Sequence, residues 1–420
     1  MHVPGDKSIS HRALMLAALG RGRSRVRGLL RSADVASTAA VLRALGVTIP
    51  VLDAPELVID GVGLRGLSAP RRDLECGNSG TTARLVAGLV AGAGVTARFT
   101  GDASLSARPM RRVAAPLMAM GASVTLPMHG GLPMTVQGTV LMGTTWHPEV
   151  ASAQVKSAIL LAGLVADVPV EVHEPAATRD HTERMLAARG VDVRTEGLVV
   201  TLLPTARLDA ADVDVPGDPS SAAFFAGLAA LGGAGTDALV IESVGINPGR
   251  VGAFRALVRM GVALKYESAR DQGGEPVANI VVSPGAALRG IAIDAADVPS
   301  LIDELPLLAC VAARAEGETR VTGAGELRVK ESDRIAAIVS NLRAVGVDAE
   351  ELPDGFVVRG TDRPLSGRIM TQGDHRIAMA FGVLAAAPRG GAIDIDDPSC
   401  AAVSYPTFWD DLERACKRTG

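Results

Sequence analysis

Residues 4–12 read Pro-Gly-Asp-Lys-Ser-Ile-Ser-His-Arg, and several of their side chains can bind an anion. Lys7, Ser8 and Arg12 fall where an extended segment should meet a helix, because an Ala/Leu-rich run follows at once. Lysine and arginine supply positive charge, a serine hydroxyl can cap the helix, and the free N–H groups of a helix start add partial positive charge. Taken alone, the segment fits a capped helix with solvated charges equally well.

Helices must position these side chains, and an internal repeat in the sequence predicts how many helices the chain has. A Gly/Ser-rich turn, an Ala/Leu-rich helix, a strand, a second helix, a glycine and another strand recur six times, in units of about 72 to 78 residues. The copies begin near Gly5, Gly77, Ala151, Gly217, Val298 and Gly373. In the first five copies a glycine follows the second helix, where a left-handed helix end is expected. These glycines are Gly46, Gly121, Gly190, Gly261 and Gly346.

Each repeat predicts a small α/β module, and six modules predict two domains of three modules each. We expect residues 7–216 to form the first domain, residues 1–6 and 217–420 to form the second, and the active site to lie in the cleft between them. Three helix starts per domain would then face the cleft, where their dipoles favour anions. This geometry predicts a substrate with more than one negative group.

The composition narrows the class of protein and its partners. The 420 residues carry a net charge of −4, which gives no reason to expect nucleic acid or an acidic membrane as partner. Hydrophobic residues make up 48% of the chain but aromatic residues only 3%, so aliphatic cores are expected. No apolar run reaches the roughly 18 residues that span a bilayer and no signal peptide is evident, so we expect a soluble, cytoplasmic protein. Wide spacing of the cysteines speaks against a zinc site or a disulfide framework. They are Cys76, Cys310, Cys400 and Cys416.

Four segments, in order along the whole chain, carry a resemblance to a known family. The first is residues 4–12; the others are Gly-Asn-Ser-Gly-Thr-Thr-Ala-Arg at 77–84, Arg-Val-Lys-Glu-Ser-Asp-Arg at 328–334 and Gly-Asp-His-Arg-Ile-Ala-Met-Ala at 373–380. Together they closely resemble the EPSP synthases (3-phosphoshikimate 1-carboxyvinyltransferases) of the enolpyruvyl transferase family. The resemblance implies a two-domain inside-out α/β barrel, in which each domain contains three βαβαββ repeats.

The resemblance implies that phosphoenolpyruvate, the donor, transfers its enolpyruvyl group to the 5-hydroxyl of 3-phosphoshikimate, the acceptor, with release of phosphate. This reaction belongs to the shikimate pathway to chorismate and the aromatic amino acids. The resemblance implies a monomer and neither a metal nor an organic cofactor. Each substrate carries a phosphate and a carboxylate, so several guanidinium and ammonium groups are needed to offset the cost of desolvating them.

The resemblance also assigns substrate contacts to individual residues. Acceptor binding is implied for Lys7, Ser8, Arg12, Ser152, Ala153, Gln154, Thr178, Arg179, Asp303 and Lys330. Donor binding is implied for Lys7, Asn78, Gly80, Arg108, Gln154, Arg334 and Arg376. Gly80 also matches the glycine that leaves room for the herbicide glyphosate beside the donor.

The reaction adds a hydroxyl across an enol double bond and then eliminates phosphate. One group must therefore protonate the methylene carbon, and another must take the hydroxyl proton. By resemblance, Asp303 is the base, Glu331 is the acid and Lys7 assists the proton transfers. Without the resemblance, either carboxylate would more often be half of a solvated ion pair worth under about 1 kcal/mol.

Other polar residues near these motifs have structural interpretations. We interpret His11 and His375 as hydrogen-bonding residues rather than bases, and Asp333 and Asp374 as carboxylates that orient neighbouring arginines. Val403 stands where many family members have a donor-binding lysine, so one cationic contact is expected to be missing.

Two alternatives and one departure from the family complete the interpretation. A UDP-N-acetylglucosamine enolpyruvyl transferase would carry Lys-Asn in place of Lys7-Ser8 and usually a cysteine in the loop at 101–108, which has none. A non-catalytic anion-binding protein on the same scaffold would have no need of carboxylates among its cations. The family usually has a further strand before the lysine segment, and with only residues 1–4 there we expect an exposed sheet edge.

Overall fold

The computed structural model describes residues 1–285 and 287–417, and the chain divides into two compact units. The N-terminal unit comprises Gly5–Val215 and Asp271–Glu275. The C-terminal unit comprises Met1–Pro4, Pro216–Arg270 and Pro276–Gly420. Each unit has its own hydrophobic core, built largely from Ala, Val, Leu and Ile.

The N-terminal unit alternates helices with short strands. Its helices are α1 (Lys7–Leu19), α2 (Ala33–Ala44), α3 (Gly80–Gly92), α4 (Ala103–Ala107), α5 (Arg111–Ala119), α6 (Ala153–Ala166) and α7 (His181–Ala187). Its strands are β1 (Arg21–Arg27), β2 (Glu56–Val62), β3 (Leu74–Glu75), β4 (Thr96–Thr100), β5 (Ser123–Thr125), β6 (Met134–Gln137), β7 (Thr144–Trp146), β8 (Val170–His173), β9 (Val193–Glu196), β10 (Val199–Leu202) and β11 (Val213–Asp214).

The C-terminal unit repeats the alternation. Its helices are α8 (Pro219–Ala230), α9 (Gly252–Arg259), α10 (Leu305–Ala312), α11 (Arg334–Ala344), α12 (His375–Ala386) and α13 (Phe408–Cys416), with 3₁₀ turns at Val298–Ser300, Ile302–Glu304, Gly325–Val329 and Pro398–Val403. Its strands are β12 (Leu239–Gly245), β13 (Leu264–Gln272), β14 (Glu275–Val282), β15 (Ala292–Ile293), β16 (Glu318–Val321), β17 (Asp348–Leu352), β18 (Gly355–Arg359), β19 (Ser366–Ile369) and β20 (Ala392–Ile395).

The sheets display the predicted repeat. The orders β3-β4-β6-β5, β7-β8-β10-β9 and β15-β16-β18-β17 share one pattern, a parallel first pair followed by antiparallel pairs. A helix connects the two strands of each parallel pair, namely α3, α6 or α10, as is usual for a parallel crossover. The sheets β11-β1-β2, β12-β14-β13 and β19-β20 are shorter versions. Chain order and pairing thus give βαβαββ repeats, and the predicted α/β class is confirmed.

The first helix of each repeat lies inside its unit, and the sheets lie outside. Every residue of α8 and α10 is buried, and so are the residues of α6 from Val155 to Val165. The outer strands alternate instead; in β4 only Ala97 and Phe99 are buried. A helix that is apolar all round must be surrounded by protein, whereas an alternating strand has one face in solvent. Each unit is therefore an inside-out α/β barrel.

The second helices of the first five repeats all end in the same way. The glycine that follows it has a left-handed φ, from +76° at Gly190 to +107° at Gly121. The next residue donates its N–H to the carbonyl five residues earlier. These bonds are Val47 to Leu42, Ala122 to Leu117, Val191 to Leu186, Val262 to Leu257 and Val347 to Leu342. This is the Schellman motif, and the predicted helix ends are confirmed.

Residues 1–4 lie beside β12. The Met1 amino group donates to the Val240 carbonyl at 2.6 Å, and the Met1 carbonyl accepts from the Glu242 N–H at 2.9 Å. The Pro4 carbonyl accepts from the Asp218 N–H at 2.9 Å. Backbone groups at this edge of β12 are therefore paired, in contrast to the expectation of an exposed edge.

Candidate active site

Three long helices of the N-terminal unit begin at predicted binding residues, α1 at Lys7, α3 at Gly80 and α6 at Ala153. A side-chain oxygen just before each helix accepts a backbone N–H of its first turn. These caps are Asp6 to Ile9, Ser79 to Thr82 and Ser152 to Val155. The capping residues set the direction of the helix starts, and the remaining free N–H groups favour an anion.

Arg12 joins α1 to α6 and α7. Its Nη2 donates to Ser157 Oγ and its Nε to Thr182 Oγ1, each at 2.7 Å, while Nη1 donates to the Ser8 carbonyl at 2.9 Å. The residue is 4% exposed, and burial lowers its pKa to about 10, which still leaves it charged at neutral pH. Arg12 is therefore a fixed cation beside Ser8. The Lys7 ammonium lies 3.1 Å from Asp34 Oδ2.

The turn before α3 is held by a second arginine. Asn78 Oδ1 accepts from Arg108 Nη2 at 2.6 Å, and Asn78 Nδ2 donates to Asp102 Oδ2 at 2.6 Å. A Cβ added to Gly80 would lie 2.9 Å from Arg84 Nη1 and 3.7 Å from Arg108 Nη1. The side of Gly80 that lacks a side chain thus faces two guanidinium groups, which is an arrangement suited to phosphate or carboxylate.

Gln154 connects this turn to α6. Its Oε1 accepts from Arg84 Nη1 at 2.6 Å, and its Nε2 donates to Thr81 Oγ1 at 3.0 Å. Sequence reasoning did not assign Arg84 to the site. Its position four residues after Gly80 was the available signal, because residues four apart share a helix face.

A buried ion cluster connects α6 to the predicted acceptor residue Thr178. The Lys156 ammonium is 2.7 Å from Glu174 Oε2 and 2.6 Å from Glu183 Oε1, and all three side chains are at most 6% exposed. Burial raises the pKa of Glu183 even though Lys156 opposes the shift. Thr178 donates its hydroxyl to Glu174 Oε1, so Thr178 is joined to Lys156 of α6 through Glu174. Sequence reasoning missed this cluster, although Lys156 is a charge in an apolar helix.

In the C-terminal unit, one guanidinium contacts three carboxylates. Arg334 Nη1 lies 3.4 Å from Asp303 Oδ1, and Nη2 lies 2.6 Å from Glu331 Oε2. Nε lies 2.8 Å from Asp374 Oδ2. Burial alone would lower the pKa of Arg334, but the carboxylates of Asp374, Glu331 and Asp303 raise it. The Lys330 ammonium is 3.7 Å from Asp303 Oδ1 and adds a second cation.

The third predicted donor arginine has a carboxylate of its own. Arg376 Nη1 lies 3.3 Å from Glu304 Oε1, and the two side chains are 10% and 2% exposed. The backbone N–H of Arg376 donates to Asp374, which caps α12. Sequence reasoning did not single out Glu304, the residue next to Asp303.

The predicted site residues thus form two sets. Lys7, Ser8, Arg12, Asn78, Gly80, Arg108, Ser152, Ala153, Gln154, Thr178 and Arg179 lie in the N-terminal unit. Asp303, Lys330, Glu331, Arg334 and Arg376 lie in the C-terminal unit. Within residues 1–285 and 287–417, no group of three or more His, Cys, Asp and Glu side chains is arranged to hold a metal ion. Over that same part of the chain, no helix is long and apolar enough to cross a membrane.

The fold is that of the enolpyruvyl transferases. The crystal structure of the enolpyruvyl transferase NikO from Streptomyces tendae superposes with a TM-score of 0.76 at 20% identity, covering 99% of this chain and 94% of that one. At this identity the similarity concerns the fold alone.

Closer relatives define the family. The family described as EPSP synthase (3-phosphoshikimate 1-carboxyvinyltransferase) matches residues 1–412. A 3-phosphoshikimate 1-carboxyvinyltransferase of Persephonella marina is 47% identical over 99% of this chain and 96% of its own length. The counterpart from Alkalilimnicola ehrlichii is 50% identical over 97% and 91%. The structure of EPSP synthase from Acinetobacter baumannii superposes with a TM-score of 0.88 at 43% identity, covering 99% and 95%. The chain belongs to the EPSP synthase family.

Proposed function

We propose that the chain transfers the enolpyruvyl group of phosphoenolpyruvate to the 5-hydroxyl of 3-phosphoshikimate and releases phosphate. Membership of the EPSP synthase family supports this activity. Of the two alternatives raised by the sequence, neither the nucleotide-sugar transferase nor the binding-only protein accounts for these relatives.

One observation carries the mechanism: Asp303 and Glu331 contact the same guanidinium. They lie 3.4 Å and 2.6 Å from nitrogens of Arg334. A donor anion held by Arg334 would therefore have a carboxylate on either side. A protein that only bound anions would gain nothing from these two carboxylates, because they repel the ligand.

The proposed addition step forms one C–O bond. The 5-hydroxyl oxygen of the acceptor attacks C2 of the donor while Asp303 takes the hydroxyl proton. Glu331 delivers a proton to C3, which becomes a methyl group. In the elimination step C3 returns a proton to Glu331, the bond from C2 to the phosphate oxygen breaks, and the enol double bond forms again. The proton that Asp303 took leaves with the departing phosphate, so both carboxylates return to their starting state.

The proposal assigns binding residues to each of the two substrates. Lys7, Ser8, Arg12 and the segment at 152–154, together with Thr178, Arg179 and Lys330, bind the acceptor. Asn78, Gly80, Arg108, Gln154, Arg334 and Arg376 bind the donor. Lys7 lies between the substrates and assists proton transfer.

The proposal extends to the setting of the enzyme. No disulfide joins the four cysteines, all of which lie in the described part of the chain, and Cys76, Cys310 and Cys400 are buried, which suits a reducing compartment. We propose a cytoplasmic monomer that uses neither metal nor nucleic acid and acts on two small-molecule substrates.

Deuterium incorporation tests the addition–elimination route. During turnover in D₂O, C3 of the donor passes through a methyl group, so deuterium should enter the vinyl group of the product and of recovered phosphoenolpyruvate. Mass spectrometry measures this incorporation. Turnover that leaves the vinyl group free of deuterium would rule out a methyl intermediate and the acid role of Glu331.

A further inference from the structure

Four buried side chains from the N-terminal unit form a continuous hydrogen-bonded chain, which we call the hydroxyl chain. His11 Nδ1 is 2.6 Å from Thr38 Oγ1, Thr38 Oγ1 is 2.6 Å from Thr82 Oγ1, and Thr82 Oγ1 is 2.8 Å from Ser79 Oγ. Each of these residues is 0% exposed. The hydroxyl chain therefore links α1, α2 and the start of α3 out of contact with solvent.

The direction of the protons follows from counting donors. Thr82 donates its hydroxyl proton to Ser79, which also accepts the Thr82 backbone N–H at 3.2 Å. Thr38 must then donate to Thr82, and the Nδ1–H of His11 must donate to Thr38, because each hydroxyl carries one proton. Burial lowers the pKa of His11 to about 3, so the imidazole is neutral and the chain keeps this direction across the physiological range.

The two ends of the hydroxyl chain reach different substrate segments. His11 lies on α1 between Ser8 and Arg12, in the segment assigned to the acceptor. Ser79 stands between Asn78 and Gly80, in the turn assigned to the donor. A shift of either segment by a few tenths of an ångström must change hydrogen bonds of 2.6–2.8 Å in the other.

Packing alone does not account for these polar side chains. The surrounding core is aliphatic, and valine or alanine at these positions would hold the helices together without the cost of burying hydroxyls. A chain of hydrogen bonds between polar side chains adds direction, which apolar contacts lack. Nε2 of His11 is buried without a hydrogen-bond partner among the described residues, so the imidazole is retained at a further cost.

We propose that the hydroxyl chain couples acceptor binding at α1 to donor binding at the Asn78–Gly80 turn, and that Thr38 is its central positioning residue. Thr38 lies on α2 and belongs to neither binding segment, so it acts through His11 and Thr82. The inference rests on the proposed function, which supplies the two ligands. Coupling of this kind is reciprocal, so each ligand should tighten the other.

The test measures donor affinity by calorimetry, with and without an acceptor that cannot react. The acceptor is 3-phosphoshikimate without its 5-hydroxyl, and the ratio of the two dissociation constants for phosphoenolpyruvate is the coupling factor. We expect a factor of about 5 or more in the wild type. Thr38→Val should bring the factor close to one, whereas Thr38→Ser, which keeps the hydroxyl, should restore it to within about twofold of the wild type.

Two further variants provide a matched control and a second break in the hydroxyl chain. Thr319→Val makes the same change at a 2% exposed threonine of the C-terminal unit and should leave the coupling factor unchanged. Thr82→Val breaks the hydroxyl chain at another link, and serves if Thr38→Val fails to give a native circular dichroism spectrum. A wild-type protein that binds both ligands with a factor of one, or a factor that survives in Thr38→Val or Thr82→Val, would overturn the inference alone. A wild-type protein that binds neither ligand would overturn the proposed function as well.

Discussion

Arg334 and Asp374 form a bidentate ion pair inside the C-terminal unit, with Nε 2.8 Å from Oδ2 and Nη2 3.3 Å from Oδ1. Their side chains are 1% and 0% exposed. Burial alone would raise the pKa of Asp374, but Arg334 lowers it below its ordinary value. Asp374 also accepts from the Ser332 hydroxyl at 3.0 Å, so the carboxylate is fixed from two sides. In the proposed function, this pair sets the orientation of Arg334 toward the donor anion.

Asp374→Asn removes the charge but keeps the shape of this partner. We expect a loss of about 3 kcal/mol in the free energy of unfolding, at the low end for a broken buried pair because Asp303 and Glu331 still contact Arg334. Urea unfolding followed by Trp409 fluorescence in a Trp146→Phe background reports on this unit. Asp333→Asn is the matched control.

The control separates a buried pair from an exposed one. Asp333 pairs with Arg328 at 2.8 Å in a position where both side chains are more than a quarter exposed, and asparagine caps α11 as well as aspartate does. Its substitution should change the unfolding midpoint little. Equal unfolding midpoints for the two variants would show that the burial of Asp374 does not increase the contribution of its ion pair to stability.

The two proposed proton-transfer residues should affect turnover more than binding. Asp303→Asn and Glu331→Gln are each expected to lower kcat by about 10²-fold to 10⁴-fold, because amides cannot exchange the proton. Steady-state kinetics with both substrates should show KM changes of only a few fold. Glu351→Gln, which removes a half-exposed carboxylate 2.9 Å from Arg328, is the control for lost charge. A large rise in KM with kcat intact would assign these carboxylates to binding alone.

A methyl group at Gly80 should weaken the binding of glyphosate more than the binding of the donor. The added Cβ would lie 2.9 Å from Arg84 Nη1, which is the movable end of a side chain. Phosphoenolpyruvate is smaller than glyphosate, so it should still bind, whereas the methyl group takes up space that glyphosate needs. Gly80→Ala is expected to raise the inhibition constant of glyphosate at least about tenfold, or 1.4 kcal/mol, with a smaller rise in KM for phosphoenolpyruvate. Gly245→Ala, whose Cβ would have no neighbour closer than 3.6 Å, is the control. Equal losses for inhibitor and donor would refute the proposed role of Gly80.

The buried glutamate at 183 predicts a pH dependence of stability. Burial raises its pKa above the ordinary 4.5, so between 4.5 and the raised value the folded chain holds a proton that the unfolded chain has lost. Its contribution is therefore complete below pH 4.5 and declines as the pH rises through the folded pKa, by at most about 1.4 kcal/mol per pH unit.

Comparison with Glu183→Gln isolates this contribution. The unfolding free energy of the wild type minus that of the variant should fall as the pH rises from 4.5, measured by Trp146 fluorescence in a Trp409→Phe background. The exposed Glu196→Gln should show no such slope. A difference that grows with pH would mean that Lys156 outweighs burial and lowers the pKa of Glu183.

Local signals made most of the fold predictable. A glycine after an apolar helix predicts a left-handed helix end, and Gly46 and Gly121 adopt it with φ of +96° and +107°. The repeat could be predicted without knowledge of long-range contacts, because the same order of turns, helices and strands recurs along the sequence. The aliphatic cores likewise followed from composition.

The sequence alone could not predict which residues form ion pairs over long distances along the chain. Asp374 was expected to orient a neighbouring arginine, and its side chain pairs with Arg334, 40 residues away, while it contacts the backbone N–H of Arg376. Arg376 pairs with Glu304 across 72 residues. Several carboxylates stood near each arginine in sequence, and only the packing of α10, α11 and α12 selects among them.

Phosphate release tests the central claim most directly. The purified chain is incubated with phosphoenolpyruvate and, in parallel, with 3-phosphoshikimate or UDP-N-acetylglucosamine. The proposed function predicts stoichiometric phosphate release with 3-phosphoshikimate, loss of that release in Asp303→Asn, and none with the nucleotide sugar. Release with the nucleotide sugar alone, or binding of 3-phosphoshikimate without any release, would contradict it.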